Sequence, residues 1–125
     1  MGAITDGRSL ATTYAATLQP VQGRAADLGG HRARVTAPRT DGVESLIGSG
    51  TAGPDIRFGL GYQLSSPSMP GFGPTSGHTG AGGRLGLADP ERGVEVGYLC
   101  SRLRTIGAGG DPRWKRVVDA VATCL

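Results

Sequence analysis

The segment that most constrains the fold is residues 84–98, RLGLADPERGVEVGY. Leu85 and Leu87 share one face of a strand by its period of two, and Val94, Val96 and Tyr98 share one face of a second. Asp89-Pro90-Glu91-Arg92-Gly93 between them is a hairpin connection, because proline presets φ for the turn and Gly93 can take positive φ. Strands joined so tightly run antiparallel. The return strand is expected to continue to about Leu103.

Flanking segments extend this pattern. Ile56, Phe58, Leu60, Tyr62 and Leu64 alternate with Arg57, Gly59, Gly61 and Gln63, the signature of a half-buried strand. A Pro/Ser/Gly loop, SSPSMPGFGP, then leads to SGHTGAGG at 76–83. After GAGG at 107–110, Asp111 reads as an N-cap with Pro112 at the first helical position. Trp114, Val117, Val118, Val121 and Leu125 mark the expected buried face of that C-terminal helix. Near the start, Leu10, Ala11, Tyr14, Ala15 and Leu18 fall on one face of a helix that Asp6 caps and Pro20 stops. The expected class is α+β, an antiparallel sheet of three to four strands with the C-terminal helix packed on it.

Residues 20–55 have no sustained period and read as loop, although a short helix around 30–35 would fit. Structureless stretches of that length are uncommon inside compact domains. Apolar residues are 38%, and 23 glycines with 8 prolines make about a quarter of the 125 residues. That is enough chain for one domain with one core, near the edge of independent stability. The expected organisation is a single partial domain over 1–125: a helix in 1–19, a loop-rich 20–55, and strands plus a helix over 56–125.

Several function classes fall away on composition. The net charge is +3, but the twelve arginines and Lys115 are scattered and few aromatics accompany them, so no nucleic-acid surface is expected. The N-terminus has no apolar h-region, and no run approaches the ~20 apolar residues of a membrane span. A soluble, cytoplasmic chain without membrane contact is the expectation. Cys100 and Cys124 lack C-x-x-C spacing and read as buried thiols, with a structural disulfide as the unsupported alternative. His31 stands alone in a polar segment, and His78 has no second histidine at ligand spacing, so no metal is expected. Residues 48–53, GSGTAG, formally match G-x-G-x-x-G, but Pro54 and a strand follow where a dinucleotide loop needs a helix. No G-x-S-x-G elbow is present.

Residues 76–103, SGHTGAGGRLGLADPERGVEVGYLCSRL, together resemble the C-terminal core of the β-lactamase-related serine hydrolases, the class C β-lactamase-like group of esterases and peptidases. In that group a K-T-G or H-T-G triplet opens an inner strand, G-G follows, and a D-P-E hairpin leads to a strand ending in an asparagine-basic pair. FGLGY at 58–62 is similar to the group's strand upstream of the triplet, and DGRSLATTYAATL to its A-R-x-L-A-R-x-Y-A-A-L helix. The resemblance covers most of 6–18 and nearly all of 56–125.

The resemblance implies a partial β-lactamase/transpeptidase-like fold and hydrolysis of a small ester or amide through an acyl-enzyme, with no cofactor. His78-Thr79-Gly80 stands at the triplet, and the Ala81 N–H would be one oxyanion donor. Backbone donors preorganised for a tetrahedral oxyanion suit this chemistry, and the glycines leave the strand edge bare. His78 replaces a lysine: imidazole can bond substrate or orient a hydroxyl but carries no permanent charge. His78, Thr79, Gly80 and Ser101, which stands where the strand-end asparagine is expected, are the substrate-side candidates. The group's nucleophile, the serine of S-x-x-K, is absent: Pro112 stands three before Lys115, the only lysine. The chain has no asparagine, so Y-x-N is absent too. The expectation is the C-terminal portion of such a hydrolase, truncated or a remnant, and inert by itself. A non-catalytic binding module, self-associating through an exposed sheet edge, is the alternative.

Overall fold

A computed structural model of the chain describes residues 4–18, 31–40, 56–66, 69, 76–105 and 110–125. Their elements are α1 (Gly7–Leu18), α2 (His31–Thr36), β1 (Arg57–Phe58), β2 (Gln63–Leu64), β3 (Ser76–Gly80), β4 (Arg84–Asp89), β5 (Val94–Tyr98) and α3 (Pro112–Ala122). The strands make one antiparallel sheet in the order β1-β2-β3-β4-β5. The α+β class is as expected, with five strands instead of three or four.

The β4–β5 hairpin forms in the expected place. Leu85 faces Tyr98 and Leu87 faces Val96, while Gly93 takes φ +67° in the turn. Asp89 organises that turn: its carboxylate accepts from the Glu91 and Arg92 N–H groups and from Arg92 Nη1. Burial pushes the Asp89 carboxyl up, but these hydrogen bonds outweigh it and leave the group below its ordinary range.

Alternation along β4 gives the sheet two different faces. On one, Leu85 and Leu87 pack with Met69, Trp114 and Val118 into the main core, so α3 covers this side. On the other, Gly86 and Gly97 lie directly opposite each other and α1 rests against them. A Cβ built on Gly86 would stand 2.0 Å from Tyr14 Cε2, and one on Gly97 would stand 2.1 Å from the Gly7 carbonyl oxygen. The missing side chain at Gly97 lets the helix backbone touch the sheet, and the one at Gly86 makes room for the Tyr14 ring.

Both long helices are capped as the sequence suggests. Ser9 N–H donates to Asp6 Oδ1 at 2.7 Å, and Arg113 N–H donates to Asp111 Oδ1 at 2.8 Å with Pro112 beginning α3. The buried stripe of α3 is narrower than expected. Trp114 and Val118 are buried, whereas Val117 and Leu125 are exposed. The i, i+4 pair Trp114 and Val118 reaches the core, Val121 is half-buried, and Leu125 lies beyond the end of α3 at Ala122.

Other expectations are corrected. The strand expected over 56–64 is a hairpin: β1 and β2 are two residues each, joined through Gly59 and Gly61, with Gly59 N–H donating to Tyr62 O and Gly61 at φ +81°. Alternating glycines satisfied the period of two without supplying side chains to hold an extended strand. Beyond β5 the chain leaves the sheet at Tyr98, not Leu103, and residues 101–105 are exposed. Six residues of the expected 20–55 loop are the helix α2. Cys100 is half-buried and Cys124 exposed, so the second is not a buried thiol. The G-x-G-x-x-G match at 48–53 lies outside the described residues. No helix among the described residues is long and apolar enough to cross a membrane.

Candidate functional site

The triplet sits where β3 outruns its neighbour. β2 pairs with β3 only at Ser76 and Gly77, so the edge of β3 from His78 onward has no strand on that side among the described residues. Gln63, at the end of β2, turns its buried side chain onto this edge instead. Its Oε1 accepts from the Thr79 N–H at 3.1 Å and from Thr79 Oγ1 at 2.9 Å. The Thr79 hydroxyl proton is thereby committed, which leaves its oxygen lone pairs as acceptors. Gln63 was missed in the sequence because the assumed single strand made it an outward polar position.

His78 and Thr79 leave opposite faces of the sheet. His78 lies across from Gly86 on the α1 face, exposed, with its ring tilted 50° against Phe58 at a centroid distance of 6.0 Å. Its Nδ1 is 2.6 Å from the Thr79 carbonyl oxygen. A carbonyl only accepts, so the proton of this bond resides on Nδ1. In the neutral ring Nε2 then carries the lone pair and is the atom available to a ligand.

Ala81, Gly82 and Gly83 are a turn between β3 and β4, not a continuation of the strand. Gly83 N–H donates to Gly80 O at 3.2 Å, and Gly82 and Gly83 take φ of +86° and +97°. Positive φ at the third position is the type II requirement, which glycine meets without a steric cost. The Gly80 carbonyl and the Ala81 N–H belong to one planar trans peptide and point in opposite directions. With the carbonyl turned into the loop, the Ala81 N–H points out along the open edge beyond Thr79. Among the described residues it donates no hydrogen bond.

The turn is held from behind. Gly82 O accepts from Arg113 Nη2 at 3.2 Å, Arg104 N–H at 3.3 Å and Cys100 Sγ at 3.4 Å. Arg84 Nη1 donates to Ala81 O at 3.1 Å, and Arg113 Nη1 to Arg102 O at 2.7 Å. Arg113 is itself paired with the buried carboxylate of Asp111 through Nε and Nη2. The Arg113 side-chain hydrogen bonds, opposed by burial and helped by the Arg113 N–H, hold the Asp111 carboxyl down at about 2. The same pairing raises Arg113 above its ordinary value.

His78, Thr79, Gly80 and Ala81 therefore lie together at one strand end. Ser101 does not join them by direct contact. It is exposed in the segment after β5, whose neighbours Cys100, Leu103 and Arg104 pack against Gly82. No group of three or more His, Cys, Asp or Glu side chains placed to hold a metal occurs among the described residues.

No protein-family model and no curated protein matches this sequence. Among solved structures, the chain is similar to the crystal structure of a family VIII carboxylesterase, with a TM-score of 0.74 and 28% identity. The match covers 96% of this chain and 32% of that one, so the chain spans about a third of its structural neighbour. The likeness supports a relationship to β-lactamase-like hydrolases and matches the α+β arrangement as part of that fold.

Proposed function

We propose that residues 76–83 form the oxyanion-side wall of an acyl-transfer site, in a serine hydrolase that cleaves a small ester or amide through an acyl-enzyme. The observation that carries this reading is the Ala81 N–H, without a hydrogen-bond acceptor among the described residues, at the open end of a strand in a chain similar to a carboxylesterase. In this role it donates to the oxygen that gains charge when the substrate carbonyl becomes tetrahedral. Thr79 Oγ1 and His78 Nε2, on opposite faces of the strand, accept hydrogen bonds from substrate or from an attacking hydroxyl, with Gly80 between Thr79 and Ala81 and Ser101 on the neighbouring segment after β5. Nothing in the chemistry requires a cofactor.

The nucleophile and its base come from outside residues 1–125, because the chain has no S-x-x-K and no Y-x-N. Residues 1–125 alone are then catalytically inert. The test is to express the longest in-frame polypeptide containing residues 1–125 and assay it with a short-chain nitrophenyl ester. Hydrolysis with an acyl-enzyme burst is expected, and Ala81→Pro, which removes the N–H, should lower kcat about 100-fold or more. A polypeptide lacking the serine–lysine motif, or a burst from residues 1–125 themselves, would refute the assignment.

A second reading is non-catalytic. The strand order ends on β5, and an edge strand is a template for pairing with another chain, here a second copy. Gel filtration of residues 1–125 over a hundredfold range of concentration decides it: self-association supports the reading, and an unchanging monomer removes it.

A further inference from the structure

We infer that Arg113, anchored by Asp111 at the start of α3, is a positioning residue that sets the direction of the Ala81 N–H through the 81–83 turn. The inference rests on the reading of Ala81 as oxyanion donor and adds the device that aims it.

The mechanical chain can be followed bond by bond. Asp111 is buried and fixed as the N-cap of α3, with Oδ1 accepting from the Arg113 N–H and Nε. Both carboxylate oxygens bind the guanidinium, which therefore has little rotational freedom. Its Nη2 then reaches Gly82 O, 31 residues away in sequence, while Nη1 reaches Arg102 O in the segment that also holds Gly82. Gly83 lies directly over the pair: a Cβ there would be 2.2 Å from Asp111 Oδ2 and 2.3 Å from Arg113 Nη2. Gly83 N–H in turn holds Gly80 O, and peptide planarity passes that orientation to the Ala81 N–H. Cys100 Sγ supports the same turn through Gly82 O and Gly83 O.

Such an arrangement suits a donor that must not reorient as charge develops. A two-residue hairpin loop would need no external support, since its strands hold it. Here a three-residue turn with two positive-φ glycines is soft by itself, and its carbonyls are instead taken by side chains from β4, the post-β5 segment and α3. Lysine at 113 would keep a positive charge but lose the planar fork that binds Asp111 and Gly82 O together.

The test uses residues 1–125 labelled with 15N, comparing the parent with Arg113→Lys, Arg113→Ala and Cys100→Ala. In both Arg113 variants the Ala81, Gly82 and Gly83 amides should shift and their heteronuclear NOE fall toward loop values, while β4, β5 and the Trp114 indole signal stay in place. Cys100→Ala, which leaves the guanidinium, should move the turn less. Unchanged turn amides in the Arg113 variants overturn the inference. So does a uniform loss of signal dispersion in Arg113→Lys, which would make the residue a general support of the fold. In the longer polypeptide, Arg113→Lys should lower kcat roughly tenfold with KM within about twofold. A moved turn without that loss would refute the role of Ala81 and leave the clamp standing. An active enzyme indifferent to Arg113 whose turn amides also stay in place would refute the clamp itself.

Discussion

Gly97→Ala tests the seat of α1 on the sheet. The added Cβ would lie 2.1 Å from Gly7 O, 2.9 Å from Ala11 N and 3.1 Å from Gly7 C, all backbone atoms of α1. Ordinary contact begins at 3.4 Å, so the helix must withdraw by about 1.3 Å. No rotamer change relieves the collision. A gap near 1 Å forfeits a quarter to a half of the dispersion energy of each atom pair it separates, and forced overpacking typically costs about 1–3 kcal/mol. Because the obstacle is backbone, the expected loss is at the upper end, roughly 3 kcal/mol. For a chain of this length that lowers Tm by about 10 °C. Gly93→Ala is the control: nothing lies within 4 Å of its Cβ, and only the positive φ of 67° is strained, at about 1 kcal/mol. Urea unfolding followed by far-UV circular dichroism measures both. If Gly97→Ala falls within about 0.5 kcal/mol of the parent, or no further below it than Gly93→Ala, α1 is not seated on these glycines.

Two further outcomes follow from the site. Gln63→Leu leaves the Thr79 N–H and hydroxyl without their acceptor, so unfolding should be easier by about 1–3 kcal/mol, with the Thr79 amide losing protection from hydrogen exchange before its β4 neighbours. The Asp111 carboxyl, lowered from 3.8 to about 2 by Arg113, contributes stability that is complete above about pH 4 and lost as pH falls through about 2. Asp111→Asn retains a capping side chain but removes this titration, so its unfolding midpoint should depend less on pH between about 4 and 2 than the parent's.

Much of the fold could be read along the chain because it rests on neighbours in sequence. Asp6 and Asp111 cap their helices through N–H groups two or three residues away, and Asp89 closes its hairpin over the same distance. The 78–81 cluster was legible for a similar reason, since four consecutive residues at a strand end are together whatever the rest of the chain does. The hairpin at 59–62 was hidden because glycine satisfies a polar-apolar alternation while contributing nothing to either face. Sequence patterning also overstated α3: Val117 fits the helical stripe but is exposed, and Leu125 lies beyond the helix end at Ala122.

The sequence by itself determined the helix starts and the β4–β5 hairpin with its two-faced alternation, both set by local backbone preference and turn chemistry. Only the tertiary structure decided that Gly86 and Gly97 seat a helix, that Gln63 occupies the Thr79 donors, and that Arg113 reaches back to Gly82. These contacts join residues 16 to 90 positions apart in the chain, from Gln63 with Thr79 to Gly97 with Gly7. They follow no period, because they exist only once the sheet brings distant backbones within a hydrogen bond of one another.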